Sequence, residues 1–237
     1  MSEKGNQAVK TVSFMMLITL FGKILGMVRE QLLAANYGTD MQAAAFLLAS
    51  RIPRTFFDVI FASAISASFI PVFVEYLQKK GRQEAFSLAN RFITMISTVT
   101  LLMMLLGMAF AKPLTLLIAP GYDVETVTLC VGLLRMLFPT MLFTAVAFSF
   151  VGILQSLEEF NVPAALSVVS NGVLILYYIF FNEKFGILGL TVAFLIGWAM
   201  QAVIQIPSLW KKGYHYRPDF HFKDEGLRKI GRLMLPV

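Results

Sequence analysis

The sequence predicts an all-α fold, a polytopic integral membrane helix bundle, and three observations carry that prediction. Of the 237 residues, 57% are hydrophobic and only 14% charged, with a mean hydropathy of +0.72. Soluble domains run near 45–50% apolar and about 25% charged. Phe and Met, at 22 and 13 copies, are too abundant to hide in one soluble core. Finally, the apolar residues gather in stretches near or beyond the roughly 20 residues that one helical crossing of a bilayer needs. A soluble enzyme and a disordered chain both fit this composition poorly.

Six spans and the start of a seventh follow in order. The first covers residues 9–36 and ends at the turn Tyr37-Gly38-Thr39-Asp40. The second, 42–77, is interrupted by Arg51-Ile52-Pro53-Arg54 and followed by a basic loop. The third, 85–111, stops at Lys112-Pro113, and a semi-apolar loop occupies 114–124. The fourth, 126–157, ends at Glu158-Glu159. The fifth, 161–181, turns at Asn182-Glu183-Lys184. The sixth, 185–210, leads into a polar stretch, and an amphipathic seventh begins at Gly226. Residues 1–212 are therefore expected to form a six-helix lobe. Residues 213–237 are expected to form a cytoplasmic linker and the first part of a helix belonging to a further lobe.

Charge sets the topology. With the N-terminus inside, thirteen basic residues lie on the cytoplasmic side: Lys4, Lys10, Lys79, Lys80, Arg82, Arg91, Lys211, Lys212, Arg217, Lys223, Arg228, Lys229 and Arg232. Only Lys112 and Lys184 lie outside. That bias predicts both ends of the chain on the cytoplasmic side. The first span is too long and too charged for a cleaved secretory signal. The single cysteine, Cys130, rules out an intrachain disulfide framework, and His215 and His221 sit in a polar stretch without metal-ligand spacing.

Five basic residues remain, Lys23, Arg29, Arg51, Arg54 and Arg135, and all fall within spans. Each costs at least about 2.5–3.5 kcal/mol at a helix centre unless it faces a cavity or a partner. Near them, only Glu30 and Asp58 carry the opposite sign. At 100° per residue, Lys23 and Glu30 lie within about 20° on one helix face, and Arg29 about 120° away from Lys23. Arg51, Arg54 and Asp58 share one face of the second span, with Arg54 and Asp58 at ion-pair spacing. Two helices thus present partly neutralised cations to a shared wet interior. Its matching ligand is an oxygen-rich anion, and a pyrophosphate fits best because Arg binds phosphate in a bidentate fork. Snorkelling to the interface explains one or two such residues but accounts poorly for five.

Small residues, Gly22-x-x-x-Gly26 and the run Ala62, Ser63, Ala64, Ser66, Ala67, Ser68, predict closely packed helices. Pro53, Pro71, Pro139, Pro163 and Pro207 lie in or beside spans and predict kinks.

These residues together resemble the N-terminal lobe of the MurJ/MviN-type lipid II flippase family, within the multidrug/oligosaccharidyl-lipid/polysaccharide exporter superfamily. The resemblance rests on Lys23-Ile24-Leu25-Gly26-Met27-Val28-Arg29-Glu30, Ala67-Ser68-Phe69-Ile70-Pro71, Ala119-Pro120-Gly121-Tyr122 and Leu134-Arg135-Met136-Leu137-Phe138-Pro139. It also includes Gly152-Ile153-Leu154-Gln155, Phe160-Asn161-Val162-Pro163, Gln201-x-x-x-Gln205-x-Pro207 and Leu235-Pro236. It implies movement of an undecaprenyl-pyrophosphate-linked peptidoglycan precursor from the inner to the outer leaflet of the bacterial plasma membrane. Transport would proceed by alternating access, without ATP hydrolysis and without a cofactor. It further implies that basic residues of the first two spans hold the pyrophosphate, and that a C-terminal lobe completes the cavity. The sequence departs from the family pattern with Lys23 in place of an Arg and Glu30 in place of an Asp. A related polysaccharide-lipid or sporulation-type flippase is an alternative.

A cation-coupled drug exporter of the same superfamily would need acidic cavity residues. A polyprenyl-pyrophosphate enzyme would need an Asp-rich Mg²⁺ site or an acid/base pair, and no Asp-x-x-Asp occurs in the spans. Walker-type glycine motifs are absent as well. Neither a metal nor catalysis is therefore expected.

Overall fold

The structure, a computed structural model, describes residues 3–58, 61 and 65–234. Within the small-residue run, Ala62, Ser63 and Ala64 lie outside the described residues, as does the closing Leu235-Pro236-Val237. The described residues form helices joined by short turns, with no strand among them.

α1 (Glu3–Tyr37) is one 35-residue helix. Gly38, at φ +57°, turns the chain, and the Asp40 carboxylate accepts from Met41 N at 2.7 Å to open α2 (Met41–Phe57). Pro53 lies inside α2. Past Phe57 the helix widens into π geometry, at Asp58, Phe61 and Ile65–Phe69, before α3 (Ile70–Lys79) begins with Pro71 in its first turn. Pro71 has no N–H to return to the preceding turn, and its ring crowds the carbonyl four residues back. The wider π turn relieves that crowding. Among the described residues the expected second span thus changes from α to π geometry after Phe57, rather than being interrupted at residues 51–54.

α4 (Arg82–Ala109) follows the left-handed Gly81. The stretch expected as a loop from 114 contains most of a short helix instead, α5 (Ala111–Ile118). Its apolar Leu114, Leu116, Leu117 and Ile118 favour helix over an open backbone at the membrane edge. Asp123 accepts from the Glu125 and Thr126 amides at 3.2 and 3.3 Å and caps α6 (Val124–Leu137). The Thr126 hydroxyl bonds the same carboxylate and holds its pKa below the ordinary range. At Phe138-Pro139 the span bends into α7 (Thr140–Ser156). A one-turn α8 (Asn161–Ala164) leads to α9 (Leu166–Phe180). α10 (Asn182–Val203) is kinked at Gly186, φ +53°, and α11 (Ile206–Lys211) extends it past Pro207. After a polar loop, α12 (Glu225–Met234) closes the described chain.

Five continuous runs are long and apolar enough to cross a membrane: Val12–Tyr37, Arg82–Ala109, Val124–Ser156, Asn161–Phe180 and Asn182–Lys211. They match the first, third, fourth, fifth and sixth expected spans. The α2–α3 segment, with its π stretch, occupies the place of the second.

α1 packs on α9, α9 on α10, α10 on α7 and α7 on α4, while α2 packs on α6. One core gathers the π segment, α3, α4, α7 and α12 around Phe69, which stacks on Phe92 at 4.3 Å. A second joins α2, α6, α9 and α10 through Ala45, Leu134, Leu137 and Leu190. Outward, α1 exposes Met16, Leu17, Leu20, Ile24 and Met27, a stripe suited to lipid tails. The Gly22-x-x-x-Gly26 motif works as expected, since a Cβ on Gly22 would overlap the Ser167 hydroxyl of α9.

Candidate functional site

α2 meets α1 and α10 only lightly, and between them opens a cavity of about 980 Å³, walled by α1, α2, α7, α9 and α10. Its charged lining consists of Arg29, Arg51, Arg54 and Glu30, three guanidiniums to one carboxylate. Neutral polar groups complete the wall: Thr19, Ser50, Gln155, Ser167, Ser170, Asn171, Tyr178 and Gln201.

Arg29 is held from two sides. Its Nη1 donates to Asn171 Oδ1 at 3.2 Å, and its Nη2 lies 3.3 Å from Glu30 Oε1. Asn171 is 7% exposed, and its Nδ2 donates to the Gly22 carbonyl at 3.1 Å, so one amide ties α9 both to the α1 backbone and to the arginine. Arg54 Nε donates to Asp58 at 3.4 Å, the pairing expected from their spacing. Its guanidinium carbon lies 5.6 Å from the ring centroid of Trp198 on α10, within cation–π range. Arg51 makes no ion pair or hydrogen bond among the described residues.

The structure therefore brings together four of the seven residues singled out in the sequence, Arg29, Glu30, Arg51 and Arg54, and seats Asp58 beside the last. Lys23 shares its helix face with Thr19 and Glu30 but is exposed and does not line the cavity. Arg135 lies elsewhere, at the end of α6, where its Nε donates to the Met108 carbonyl at 3.2 Å. That bond satisfies a carbonyl in the last turn of α4, a role in holding the helices rather than in the cavity. Sequence reasoning passed over Asn171 and Trp198 and named Gln201 only as part of a family motif. Each is a polar or amphipathic side chain inside an apolar run, and that was the available signal.

A second polar cluster, none of whose residues lines the cavity, joins α3, α4 and the segment leading into α12. Arg91 on α4 bonds Asp219 through Nε at 2.9 Å and Asp224 through Nη1 at 2.6 Å. Asp224 also accepts from Gly226 N and Leu227 N and so caps α12. Asn90 accepts from the Tyr214 hydroxyl at 2.8 Å, and Lys229 reaches Glu75 at 2.5 Å. Hydrogen bonds from the His221 amide and ring, together with Arg91, hold the Asp219 carboxyl at about 2 despite its partial burial. Burial pushes the Tyr214 hydroxyl pKa upward. His215 and His221 are both exposed, as expected of the polar stretch. Among the described residues no group of three or more His, Cys, Asp or Glu is placed to hold a metal ion.

Comparison with known proteins agrees with this architecture. The family model described as lipid II flippase MurJ matches residues 33–237. The probable lipid II flippase MurJ of Buchnera aphidicola subsp. Acyrthosiphon pisum is 31% identical over 225 residues, covering 93% of this chain and 44% of that protein. Its counterpart in Haemophilus influenzae is 30% identical over 235 residues, with 93% and 45% covered. Among solved structures, a lipid II flippase MurJ in an inward closed conformation superposes with a TM-score of 0.76 at 25% identity, over 93% of this chain and 46% of that one. A superfamily transporter from Pyrococcus furiosus, described as having a binding pocket of reversed polarity, shares the fold at a TM-score of 0.71 and 15% identity. The chain thus spans about half the length of the relatives it matches, and corresponds to their N-terminal lobe. It is a multi-pass membrane protein and belongs to the lipid II flippase MurJ family.

Proposed function

We propose that this chain is the lobe of a bacterial plasma-membrane flippase that holds the pyrophosphate of a lipid-linked peptidoglycan precursor, lipid II, and carries it from the inner to the outer leaflet by alternating access. The observation that carries the reading is the convergence of Arg29, Arg51 and Arg54 on one cavity with a single carboxylate, Glu30, among them. Three guanidiniums offer a diphosphate several charge-assisted donors in fork geometry. In the reduced dielectric of a membrane cavity those bonds outweigh the same contacts in water. Glu30 and Asp58 keep Arg29 and Arg54 partly paired while the cavity is empty, which lowers the cost of leaving them inside the membrane. A diphosphate would displace the weaker partners.

The excess of Lys and Arg on one side supports a cytoplasmic N-terminus, so the polyprenyl lipid would load from the cytoplasmic leaflet. Residues 1–212 would form the lobe, and 213–237 the linker and start of a seventh helix leading to a C-terminal lobe that closes the cavity. Lys23, on the same face as Glu30, would meet the substrate or that second lobe, and Arg135 would hold α6 to α4. The family is one of transporters rather than catalysts. Motive force would come from ion or substrate gradients.

The test is complementation. In a strain depleted of its own flippase, full-length protein carrying Arg29→Ala or Arg54→Ala should reach the membrane and fail to restore growth, while Lys112→Ala restores it. Normal growth with both arginine variants would discard the assignment.

A further inference from the structure

Arg54 does not stand alone in the cavity wall. Phe46 and Arg54 lie on α2, and Phe194 and Trp198 lie on α10; all four line the cavity. Phe46 meets Phe194 edge-on at 5.7 Å, Phe194 lies 6.2 Å from Trp198, and Arg54 lies 5.6 Å from the centroid of the Trp198 ring. The order is α2, α10, α10, α2: two residues of one helix bracket an i, i+4 pair of the other. This interdigitated stack is one of the few places where α2 touches α10.

Its last member is the one with chemistry. Arg54 uses Nε for Asp58 and packs toward the indole, and its two Nη groups have no hydrogen-bond partner among the described residues. A long arginine side chain on a cavity wall has many rotamers, and fixing one before a ligand arrives removes that entropy from the binding step. Asp58 alone cannot fix it, because a single bond at 3.4 Å leaves the group free to swing about that contact. The indole face supplies the second constraint.

We propose that Trp198 is the positioning residue for Arg54: held over the indole at cation–π distance and tied by Nε to Asp58, the guanidinium presents its paired Nη edge to the cavity as a preset fork for one phosphate of a diphosphate. The inference rests on the reading of the cavity as a diphosphate site. It adds that the selectivity of one arm of that site is set from α10, a helix that carries no cavity charge of its own.

Trp210, the other tryptophan of these 237 residues, is exposed, so the contribution of Trp198 to indole emission is read as the difference between the parent and Trp198→Tyr in the full-length protein. The probe is farnesyl pyrophosphate, with farnesyl monophosphate as its comparison, titrated into purified protein in nanodiscs. Calorimetry gives the affinity of every variant, and indole emission gives an independent signal in those that keep Trp198. The expected results are a change in Trp198 emission on binding, a roughly fivefold loss of diphosphate affinity in Trp198→Leu, and near-normal affinity in Trp198→Tyr, which keeps a π face. Arg54→Gln should lose at least as much, and adding Trp198→Leu to it should lose little further, whereas Trp198→Leu and Arg51→Gln should combine independently. Trp198→Leu should also narrow the preference for diphosphate over monophosphate, which a loss of folded protein would not do. If Arg54→Gln weakens binding while Trp198→Leu binds like the parent, or if Trp198→Tyr fails as badly as Trp198→Leu in folded protein, the positioning role is overturned and the site stands. If the parent does not bind the diphosphate, the reading of the cavity falls and this inference falls with it.

Discussion

Replacing Asn171 with Leu removes two hydrogen bonds from the seam between α1 and α9 while keeping the number and branching of side-chain heavy atoms. The amide is 7% exposed, donates to Gly22 O at 3.1 Å and accepts from Arg29 Nη1 at 3.2 Å. Side-chain hydrogen bonds between membrane helices average about 0.6 kcal/mol and reach about 1.7. The bond to the Gly22 carbonyl belongs near the lower figure, because a mid-helix carbonyl already accepts from its own helix. The bond to Arg29 belongs near the upper one, since charged partners strengthen it. It is then discounted because the Arg29 side chain is about one-third exposed. The expected loss is therefore about 1–2 kcal/mol, a five- to thirtyfold shift in the folding equilibrium. Reversible unfolding in mixed micelles measures it, and a cycle with Arg29→Leu isolates the second bond, which should couple by about 0.5–1 kcal/mol. Strict additivity of the two changes would refute the link between the seam and the cavity arginine. A loss above about 4 kcal/mol would point to disrupted packing instead.

Two other outcomes follow from the same geometry. Gly22→Val places a methyl group against the Ser167 hydroxyl and should destabilise the α1–α9 contact by about 1–3 kcal/mol, with partial recovery when Ser167→Ala removes the clashing oxygen. In the Arg91 cluster, the folded-state Asp219 pKa of about 2 lies below its ordinary 3.8. Its stabilisation is therefore complete above about pH 4 and fades as acid approaches pH 2. A spin-label pair on α4 and α12 should hold one distance from pH 7 to about 4 and broaden below that. Arg91→Ala should broaden it at neutral pH already, and an unchanged distribution in that variant would contradict the clamp.

Hydropathy and charge made most of the fold legible, because membrane helices announce themselves by apolar length and five of the expected spans are helical runs long and apolar enough to cross a membrane. The second was harder. Pro53 and Pro71 flag a disturbance, and Pro71 accounts for the widened turn just before it, but nothing local marks Asp58 as the point where π geometry begins. The Ala111–Ile118 helix is not legible in the sequence because eight residues are too few for periodicity to separate helix from loop. For the cavity, the rule that charge inside a membrane must face something located Arg29, Arg51 and Arg54. It could not separate them from Arg135, whose partner is a backbone carbonyl 27 residues away in sequence. Asn171 and Trp198 were invisible to a search for formal charge, though they hold two of the arginines. The Arg91–Asp219–Asp224 cluster joins residues more than 120 positions apart, a distance over which spacing rules say nothing.

The most direct measurement is equilibrium binding of farnesyl pyrophosphate to protein in nanodiscs, comparing the parent with a variant bearing Arg29→Gln, Arg51→Gln and Arg54→Gln together. Three charge-assisted contacts predict a loss of roughly a hundredfold or more, and a parent affinity that falls as salt rises while the variant's residual binding does not. Undiminished binding by a folded triple variant would show that the arginines of this cavity do not hold the diphosphate.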